Sequence, residues 1–358
     1  MATIERDATS LGTVKHVFSP DLIRQVQPGL AAKEISYQEA IREGLREEML
    51  RDESVFLMGE DIGKHGGAFG VTRTLFDQFG PERVINTPIS ENTIVGAATG
   101  AALVGMRPVV EIMFVDFSGL AMDQICTQAA KLRFMTGGQC KIPWVLRMPQ
   151  GGGAGKSTAA QHSQSLEVWF ASIPGLKVVL PSTPYDAKGL MKAAIRDDNP
   201  VIFLEQKFLY SFRGLVPDDD YVLPLGKCDI KRQGSDVTIV ASGYMVWHAM
   251  LAAKILESEG ISVEVVDVRT IAPLDEETIG QSARKTGRVV LIAEACRSYG
   301  PANEWGMVVM EQAFDYLRAP VIRVTGRHSP IPFANSLEAG VWPGTDDLLQ
   351  AVRTTMTY

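Results

Sequence analysis

Two ionisable side chains lie in sequence surroundings that favour chemistry over simple solvation. Glu91 stands alone at the start of ENTIVGAATGAALVG (91–105), where small and apolar residues follow it and no basic residue is present. His162 stands among glutamines and serines in AAQHSQSLEVWF (159–170). A carboxylate in a dry setting is a strong hydrogen-bond acceptor, and a neutral imidazole can donate and accept protons near neutral pH. Both residues therefore suit proton transfer or the binding of a polar ligand.

Each of these residues also has an ordinary structural interpretation. A carboxylate in the first turn of a helix is stabilised by the helix macrodipole, so Ser90, Glu91 and Asn92 are compatible with simple capping. His162 is compatible with a histidine that its polar neighbours hold in place. The residue types alone leave these interpretations open beside the chemical ones. The glycines and alanines that follow Glu91 predict close approach by another helix or subunit.

The glycine-rich run GGGAGKST (151–158) does not match a phosphate-binding loop. That motif needs a glycine five positions before its Gly-Lys-Ser, and Gln150 occupies this position. The run instead predicts a sharp turn or a flexible surface loop.

Two aromatic residues follow a predicted strand in EIMFVDFSG (111–119). Phe114 and Phe117 lie where ligands dock in open α/β sheets, at the carboxyl end of a strand. They fit either a contact with a planar ring or ordinary core packing.

Short β-branched runs that alternate with helical periodicity predict the elements that must position these residues. Because the runs are apolar throughout, they are typical of parallel strands covered on both faces. In the first half they are 55–62, 107–114, 143–149, 176–182 and 200–206. In the second half they are 237–243, 262–271, 288–295 and 319–326. The predicted fold class is α/β, with two doubly wound domains.

Helix signals separate the predicted strands. The capping box SYQE (36–39) begins an amphipathic segment that ends near Asp52. Pro184 lies in the first turn of a later helix, where proline is favoured. Apolar spacing predicts one helix over 116–135.

Composition predicts a linker between the two domains. Prolines, glycines and three successive aspartates fill residues 207–235. The predicted organisation is an N-terminal arm over 1–34, a first domain over 35–206, the linker over 207–235 and a second domain over 236–358.

The composition excludes several partner classes. A formal net charge of −7 and the lack of a Lys/Arg-rich run argue against nucleic acid as a partner. The longest apolar run, 94–106, is too short to span a bilayer, so no membrane partner is expected. The four cysteines have no C-x-x-C spacing, which argues against disulfides and structural zinc. The first 34 residues carry acids and no continuous apolar core, and a cytoplasmic location is expected.

Several motifs together resemble one family, from about residue 35 to 355. They are VFLMGEDIG, GVTRTLFDQFGPERVINTPISENTIVGAATGAAL, RPVVEIMFVDF, AAQHSQSLEVWF and EVVDVRTIAPLD. The chain resembles the β subunits of thiamine-diphosphate-dependent 2-oxo acid dehydrogenases of the pyruvate, acetoin and branched-chain types. This resemblance implies a transketolase-like pyrimidine-binding domain followed by a transketolase C-terminal domain.

The resemblance also implies a cofactor and partners. Thiamine diphosphate is shared with an α subunit in an α2β2 heterotetramer, and the α subunit holds the diphosphate and Mg2+ through a Gly-Asp-Gly motif. The present chain contains no Gly-Asp-Gly, as a β subunit should. A β–β contact and contact with a lipoyl acyltransferase core are further implications.

The matching motifs assign roles to particular residues by resemblance. Glu91 corresponds to the carboxylate that bonds the aminopyrimidine nitrogen, and Phe117 and Met113 belong to the cofactor-binding set. His162 corresponds to the active-site histidine near the thiazolium and the incoming lipoyl group. Glu91 and His162 are therefore the expected catalytic residues.

The resemblance further implies a potassium site in AIRDDN (194–199). Its ligands are largely main-chain oxygens, which suit a hard monovalent cation. The expected ligand residues are Trp144, Ala194, Ile195, Asp197 and Asn199.

Two other functions remain as alternatives. A self-sufficient thiamine enzyme of the transketolase or synthase type would have to bind the cofactor alone, which the missing Gly-Asp-Gly opposes. A non-catalytic assembly scaffold with this fold would not need Glu91, Phe117 and His162. Among substrates, the run HGGAFGVTR (65–73) favours the acetoin type over the mammalian pyruvate type, and the choice stays open.

Overall fold

A computed structural model describes residues 22–23, 31–152 and 158–358 of the chain. Most of the predicted arm over 1–34 and the centre of the glycine-rich run over 151–158 lie outside these residues. The predictions made for those two segments are not tested.

The described residues form strands and helices in alternation. The strands are β1 (Ala32–Ser36), β2 (Val55–Gly59), β3 (Val84–Asn86), β4 (Arg107–Glu111), β5 (Val145–Gln150), β6 (Lys177–Val179), β7 (Val201–Gln206), β8 (Arg213–Pro217), β9 (Asp229–Arg232), β10 (Val237–Ala241), β11 (Val263–Asp267), β12 (Thr270–Ala272), β13 (Val289–Cys296) and β14 (Ile322–Gly326). The α-helices are α1 (Tyr37–Arg51), α2 (Leu75–Phe79), α3 (Glu91–Leu103), α4 (Ala130–Met135), α5 (Glu167–Ala171), α6 (Pro184–Arg196), α7 (Met245–Glu257), α8 (Glu276–Thr286), α9 (Pro301–Ala313), α10 (Asn335–Glu338) and α11 (Thr345–Met356). Within the described ranges, no helix has the length and apolar character that a bilayer crossing needs.

Two mainly parallel sheets confirm the predicted α/β fold class. The first has the order β12-β6-β7-β5-β4-β2-β3, and only the β12–β6 pair is antiparallel. The second has the order β14-β13-β10-β11-β9, and only the β11–β9 pair is antiparallel. A separate antiparallel ribbon pairs β1 with β8.

Alternate residues of the central strands enter two different cores. In β2, Val55 and Leu57 pack into the core that contains α1 and α6, whereas Phe56 and Met58 pack into the core that contains α3. Successive side chains of a strand point to opposite faces of the sheet. A strand with helices on both faces must therefore be apolar at every position, as the sequence pattern predicts.

The predicted starts of α1 and α6 are confirmed. Ser36 accepts a hydrogen bond from the Glu39 backbone, and the Glu39 carboxylate accepts from the Ser36 backbone, which completes the capping box. Thr183 caps α6, and Pro184 occupies its first turn. These local signals hold because side-chain caps satisfy N–H groups that the helix itself cannot.

The predicted single helix over 116–135 is wrong. The segment is a 3-10 helix over Val115–Ala121, a π-helix over Asp123–Ala129 and then α4. In the 3-10 part the buried side chains are Val115, Ser118 and Ala121, a spacing of three that fits three residues per turn. Because apolar spacing of three and four alternates here, the sequence resembles one regular helix.

The two halves of the chain are interleaved. Strand β12 comes from the second half of the chain but joins the edge of the first sheet beside β6. Strands β8 and β9 lie within the segment predicted to be a linker.

A buried ion cluster joins the second sheet to the start of α6. The Lys231 ammonium contacts the Asp186 and Asp267 carboxylates at 2.6 and 3.2 Å, and all three side chains are shielded from water. Arg269 also contacts Asp186, at 3.3 Å. Burial alone would raise the pKa of Asp186, but Lys231 and Arg269 lower it to about 2. The carboxylate is therefore ionised and depends on these cations.

Replacing Lys231 should destabilise the protein strongly. Lys231→Met leaves Asp186 and Asp267 buried with less compensating charge, and breaking such a cluster typically costs about 3–5 kcal/mol. Urea denaturation measures the free energy of unfolding. Arg353→Met is the control, because Arg353 pairs with Glu259 on the surface and should matter much less. Equal, small effects of both substitutions would contradict this expectation.

Candidate active site

The side chains singled out in the sequence lie along one edge of the first sheet. Glu91 comes after β3, Met113 and Phe117 come after β4, and His162 comes after β5. These strands are parallel neighbours or nearly so, so their carboxyl ends meet at the same edge. This is the edge at which open α/β sheets bind ligands.

Glu91 is a largely buried residue whose carboxylate has no protein partner among the described residues. It is the first residue of α3, is only 8 % exposed, and makes no hydrogen bond or ion pair with any described residue. The preceding Ser90 bonds the Thr93 hydroxyl at 2.8 Å and does not cap the helix with its side chain. The helix macrodipole favours a carboxylate here, but a carboxylate that served only the dipole could remain in water. Burial without a partner indicates a ligand that supplies the missing donor.

A second acid, Glu60, lies near Glu91 and was not identified from the sequence. It follows β2 directly and is 7 % exposed. Burial raises its pKa, and the charges of Glu91 and Asp61 raise it further. The sequence did contain a signal for it. Glu60 is an acid immediately after a buried parallel strand, and the carboxyl ends of such strands meet at the edge that binds ligands. The site therefore concentrates negative charge near Glu91.

The edge of the sheet is held together by a buried arginine. Arg147 of β5 makes a bidentate ion pair with Glu205 of β7, at 2.6 and 2.9 Å, and contacts Glu111 of β4 at 2.6 Å. Gly67, with φ of +81°, lies above Glu111, and a Cβ at that position would approach the Glu111 carboxylate to 3.1 Å. Paired charges of this geometry fix three adjacent strand ends relative to each other.

Aromatic rings continue from this ion pair to His162. Tyr210 donates a hydrogen bond to Glu205 at 2.7 Å, and its ring stacks on Phe69 with a centroid distance of 5.2 Å. Phe69 contacts Phe114 edge to face at 5.6 Å. The position of Phe114 is thus coupled to the buried ion pair.

His162 lies against two aromatic edges. Its ring centroid is 4.6 Å from that of Phe114 and 5.2 Å from that of Phe117, both in edge-to-face geometry. His162, Phe117 and Met113 are half-buried, so each retains an open side. The backbone of Ala159 has φ of +57°, a strained value that is typical of functional loops. The structure therefore brings the predicted His162 and Phe117 into contact.

The predicted potassium ligands lie at the end of α6 and beside β5. The Ile195 and Asp197 carbonyls accept hydrogen bonds from Arg107 at 2.9 and 3.0 Å. The Trp144 carbonyl accepts from the Val201 backbone at 3.0 Å.

The two remaining predicted ligands are also bonded to protein groups. The Ala194 carbonyl accepts from the Asp197 backbone at 3.3 Å, and the Asn199 amide oxygen accepts from Arg133 at 2.7 Å. A cation would therefore bind through second lone pairs. Among the described residues no group of three His, Cys, Asp or Glu side chains is arranged to hold a metal, and the potassium site stays a prediction.

A buried acid of the second sheet reaches the segment that carries His162. Glu294 of β13 accepts hydrogen bonds from the Gly152 backbone at 2.8 Å and from the Ser165 hydroxyl at 3.0 Å. Burial raises its pKa to about 7, against these hydrogen bonds and with the charge of Glu167 nearby. Lys207 lies near Glu294, and burial lowers its pKa to about 8.

Comparison with known proteins decides the family. The family models "Transketolase, pyrimidine binding domain" and "Transketolase, C-terminal domain" match residues 33–212 and 226–348. The chain is 48 % identical to the mitochondrial pyruvate dehydrogenase E1 component subunit beta-2 of Oryza sativa subsp. japonica, over 90 % of this chain and 86 % of the relative. It is 46 % identical to the 2-oxoisovalerate dehydrogenase subunit beta of Bacillus subtilis, over 89 % and 98 %. The chain belongs to the family of 2-oxo acid dehydrogenase E1 β subunits.

A solved structure supports the same fold for this E1 β subunit. It is a split gene transketolase described as an inactive beta4 tetramer, with a TM-score of 0.71 and 26 % identity, covering 90 % of this chain and 98 % of that one. The predicted family and the two transketolase domains are confirmed. The roles of Glu91, Met113, Phe117 and His162 stay predictions, because similarity between whole chains assigns no role to a residue.

The raised pKa of Glu294 predicts a pH-dependent stability. An unfolded glutamate titrates near pH 4.3, so between about pH 4.3 and 7 the native state keeps a proton that the unfolded state has released. The contribution of this group to the free energy of unfolding is complete below that window and is lost as pH rises through about 7. Glu294→Gln has no titrating group at this position, so its free energy of unfolding does not show this loss. From pH 5 to pH 8 the free energy of unfolding of the variant should therefore rise by about 2–3 kcal/mol relative to that of the wild type. Urea denaturation at both pH values measures this, and a constant difference would contradict it.

Proposed function

We propose that this E1 β subunit, together with an α subunit, forms the site at which thiamine diphosphate acts in the oxidative decarboxylation of a 2-oxo acid. The observation that carries the proposal is the Glu91 carboxylate, which is buried at the start of α3 and has no partner among the described residues. A protonated ring nitrogen of an aminopyrimidine has the donor that this carboxylate lacks. The residues present therefore fit the cofactor.

The residues of this chain would bind and orient the pyrimidine half of the cofactor. Thiamine diphosphate, when bound, supplies the carbon nucleophile and the electron sink for decarboxylation. Glu91 would accept the hydrogen bond of the ring nitrogen, in an apolar setting that strengthens it. Phe117 and Met113 would offer apolar surface to the ring. The edge-to-face cluster around His162 would exclude water.

His162 would handle a proton at the open side of the site. A half-buried imidazole that contacts two aromatic rings packs against them on one side and keeps an accessible edge on the other. It can donate a proton to a sulfur of the lipoyl disulfide while that bond is reduced. We therefore assign His162 to reductive acylation of the lipoyl group on the acyltransferase, and to no step before it.

The α subunit would complete the site. The sequence lacks the Gly-Asp-Gly that would hold the diphosphate and Mg2+, so the proposal gives these groups to α. Apolar side chains at the end of α3 stay exposed in the single chain, with Leu103 at 42 % and Val104 at 81 %. These residues lie at the opposite end of α3 from Glu91, and exposed apolar surface on a helix that begins at the site supports a subunit contact. The solved relative that is inactive as a beta4 tetramer supports an α2β2 heterotetramer with its own β–β contact.

The proposal extends to the substrate class but not to one substrate. Relatives with 46–48 % identity are named for pyruvate and for 2-oxoisovalerate. We include both acids, with acetoin as the third candidate from the sequence; acetoin has no carboxylate and would be cleaved at a carbon–carbon bond instead of decarboxylated. Assay of the α-paired protein with all three substrates decides among them by the ratio of kcat/KM values.

Glu91→Gln should abolish most decarboxylation in the α-paired protein. The amide keeps the shape of the side chain but removes the charge that stabilises a protonated ring nitrogen. We expect kcat with an artificial electron acceptor to fall by on the order of a hundredfold, as for loss of a preorganised electrostatic contact. Asn92→Gln is the control, because Asn92 is the next residue of α3 and is exposed. Wild-type activity of Glu91→Gln would show that the assignment is wrong.

His162→Ala should separate two activities. Transfer to the lipoyl domain should fall by about a hundredfold, the contribution of a positioned general acid. Decarboxylation measured with an artificial acceptor should be affected much less. The ratio of the two rates is the measured quantity, and an unchanged ratio would contradict the role of His162.

A further inference from the structure

One carboxylate oxygen of the second domain bonds both sides of the His162 segment. Glu294 Oε1 accepts from the Gly152 N–H at 2.8 Å and from the Ser165 hydroxyl at 3.0 Å, and His162 lies three residues before Ser165. Glu294 Oε2 accepts from the side-chain amide of Gln206, at the end of β7. Glu294 thus connects β13 of the second sheet to Gly152 and Ser165, which lie before and after His162 in the sequence.

The approach of this acid depends on a glycine. Gly151 has φ of +87°, and a Cβ there would overlap both Glu294 Oε1 and the Gln206 amide. The Gly151 N–H donates to the Gln164 carbonyl at 2.9 Å, which joins the residue after β5 to the residues that follow His162. A carboxylate can approach the backbone this closely only where no Cβ is present, so this position requires glycine.

Lys207, which directly follows β7, holds the residues around His162 from the other side. The Lys207 ammonium donates to the Thr158 hydroxyl at 3.1 Å and to the His162 carbonyl. It also lies 5.1 Å from the centre of the Phe114 ring, the ring that His162 contacts. Lys207 and Glu294 influence each other electrostatically, since the charge of each favours the charged form of the other. Lys207 therefore holds the backbone of His162, whereas the His162 ring contacts only Phe114 and Phe117 among the described aromatic rings.

We propose that Glu294 is a positioning residue for His162, through which the second domain takes part in the reaction at the first domain's site. The effect on catalysis rests on the proposed function of His162. Glu294 acts through the Gly152 and Ser165 bonds and touches neither substrate nor cofactor. The two bonds converge on Oε1, so an amide at this position retains both acceptor contacts once the Gln206 amide turns its oxygen toward the new NH2 group.

The chain offers a closely matched control. Glu264 of β11 is also a buried acid of the second sheet, and it also accepts from a backbone N–H, of Gly234 at 3.2 Å, and from a serine hydroxyl, of Ser282 at 2.6 Å. Its partners do not belong to the His162 segment. Glu264→Ala removes the same kind of contacts, and also an ion pair with Lys285, without touching the site.

Hydrogen exchange in the α-paired holoenzyme tests the positioning by itself. Glu294→Ala should speed amide exchange in the peptide that covers residues 158–165 by about tenfold or more, since local opening follows the loss of the bonds that hold a segment. Glu294→Gln should keep the wild-type rate, and Glu264→Ala should leave this peptide unchanged. Unchanged exchange in Glu294→Ala would overturn the proposal, whatever the activities show. Equal effects of Glu294→Ala and Glu264→Ala would also overturn it, because they would indicate general loosening of the domain.

The activity ratio then tests the consequence for the reaction. Glu294→Ala should lower lipoyl transfer at least about tenfold more than the artificial-acceptor rate, because small displacements of a catalytic group are costly. In the His162→Ala background the same change should have no further effect on the ratio. Full, independent losses in the double variant would contradict positioning through His162. If His162→Ala alone leaves the ratio unchanged, the proposed role of His162 fails, while faster exchange at 158–165 still supports the contact made by Glu294.

Discussion

The ion pair between Arg147 and its two carboxylates is the interaction on which the site depends. Arg147 lies on β5, between Glu205 on β7 and Glu111 on β4, so one guanidinium fixes three neighbouring strand ends. Buried charges of this kind require full pairing, which makes the arrangement rigid and intolerant of change. The glycine turn above Glu111 and the aromatic contacts that begin at Tyr210 both start from this ion pair. A buried contact in the interior of the sheet therefore sets the positions of the side chains at this edge.

The site that rests on this edge is chemically incomplete within one chain. Every acid of the ion pair has its cation, whereas Glu91 is buried without one among the described residues and Glu60 beside it adds like charge. A folded protein tolerates such a group where an external partner compensates for the lost hydration. His162 and Phe117, at the same edge of the sheet, are only half-buried. In the function proposed for this E1 β subunit, the chain supplies half of a site, and a cofactor and a second subunit supply the other half.

The sequence predicted what depends on local physics. Apolar runs indicated the central strands, and capping residues indicated where α1 and α6 begin, because these signals lie within a few residues of each other. The predicted run 262–271 continued β11 to residue 271, yet the chain turns at Arg269, with φ of +55°, and Thr270–Ala272 form β12 in the other sheet. Glu294 bonds Gly152 across 142 positions of sequence, and no local pattern indicates such a pairing. The acids at the site were therefore only partly foreseen: Glu91 by its isolation, Glu60 and Glu294 not at all.

The dependence of the site on a second subunit is open to direct measurement. Calorimetric titration of thiamine diphosphate with Mg2+ can compare the chain alone with the same chain paired with its α subunit. If Glu91 binds the ring nitrogen of a cofactor that only the complete site can hold, the α-paired protein should bind the cofactor stoichiometrically. The chain alone should then give no binding heat. Binding of equal affinity to the chain alone would contradict this, and would indicate a self-sufficient thiamine enzyme.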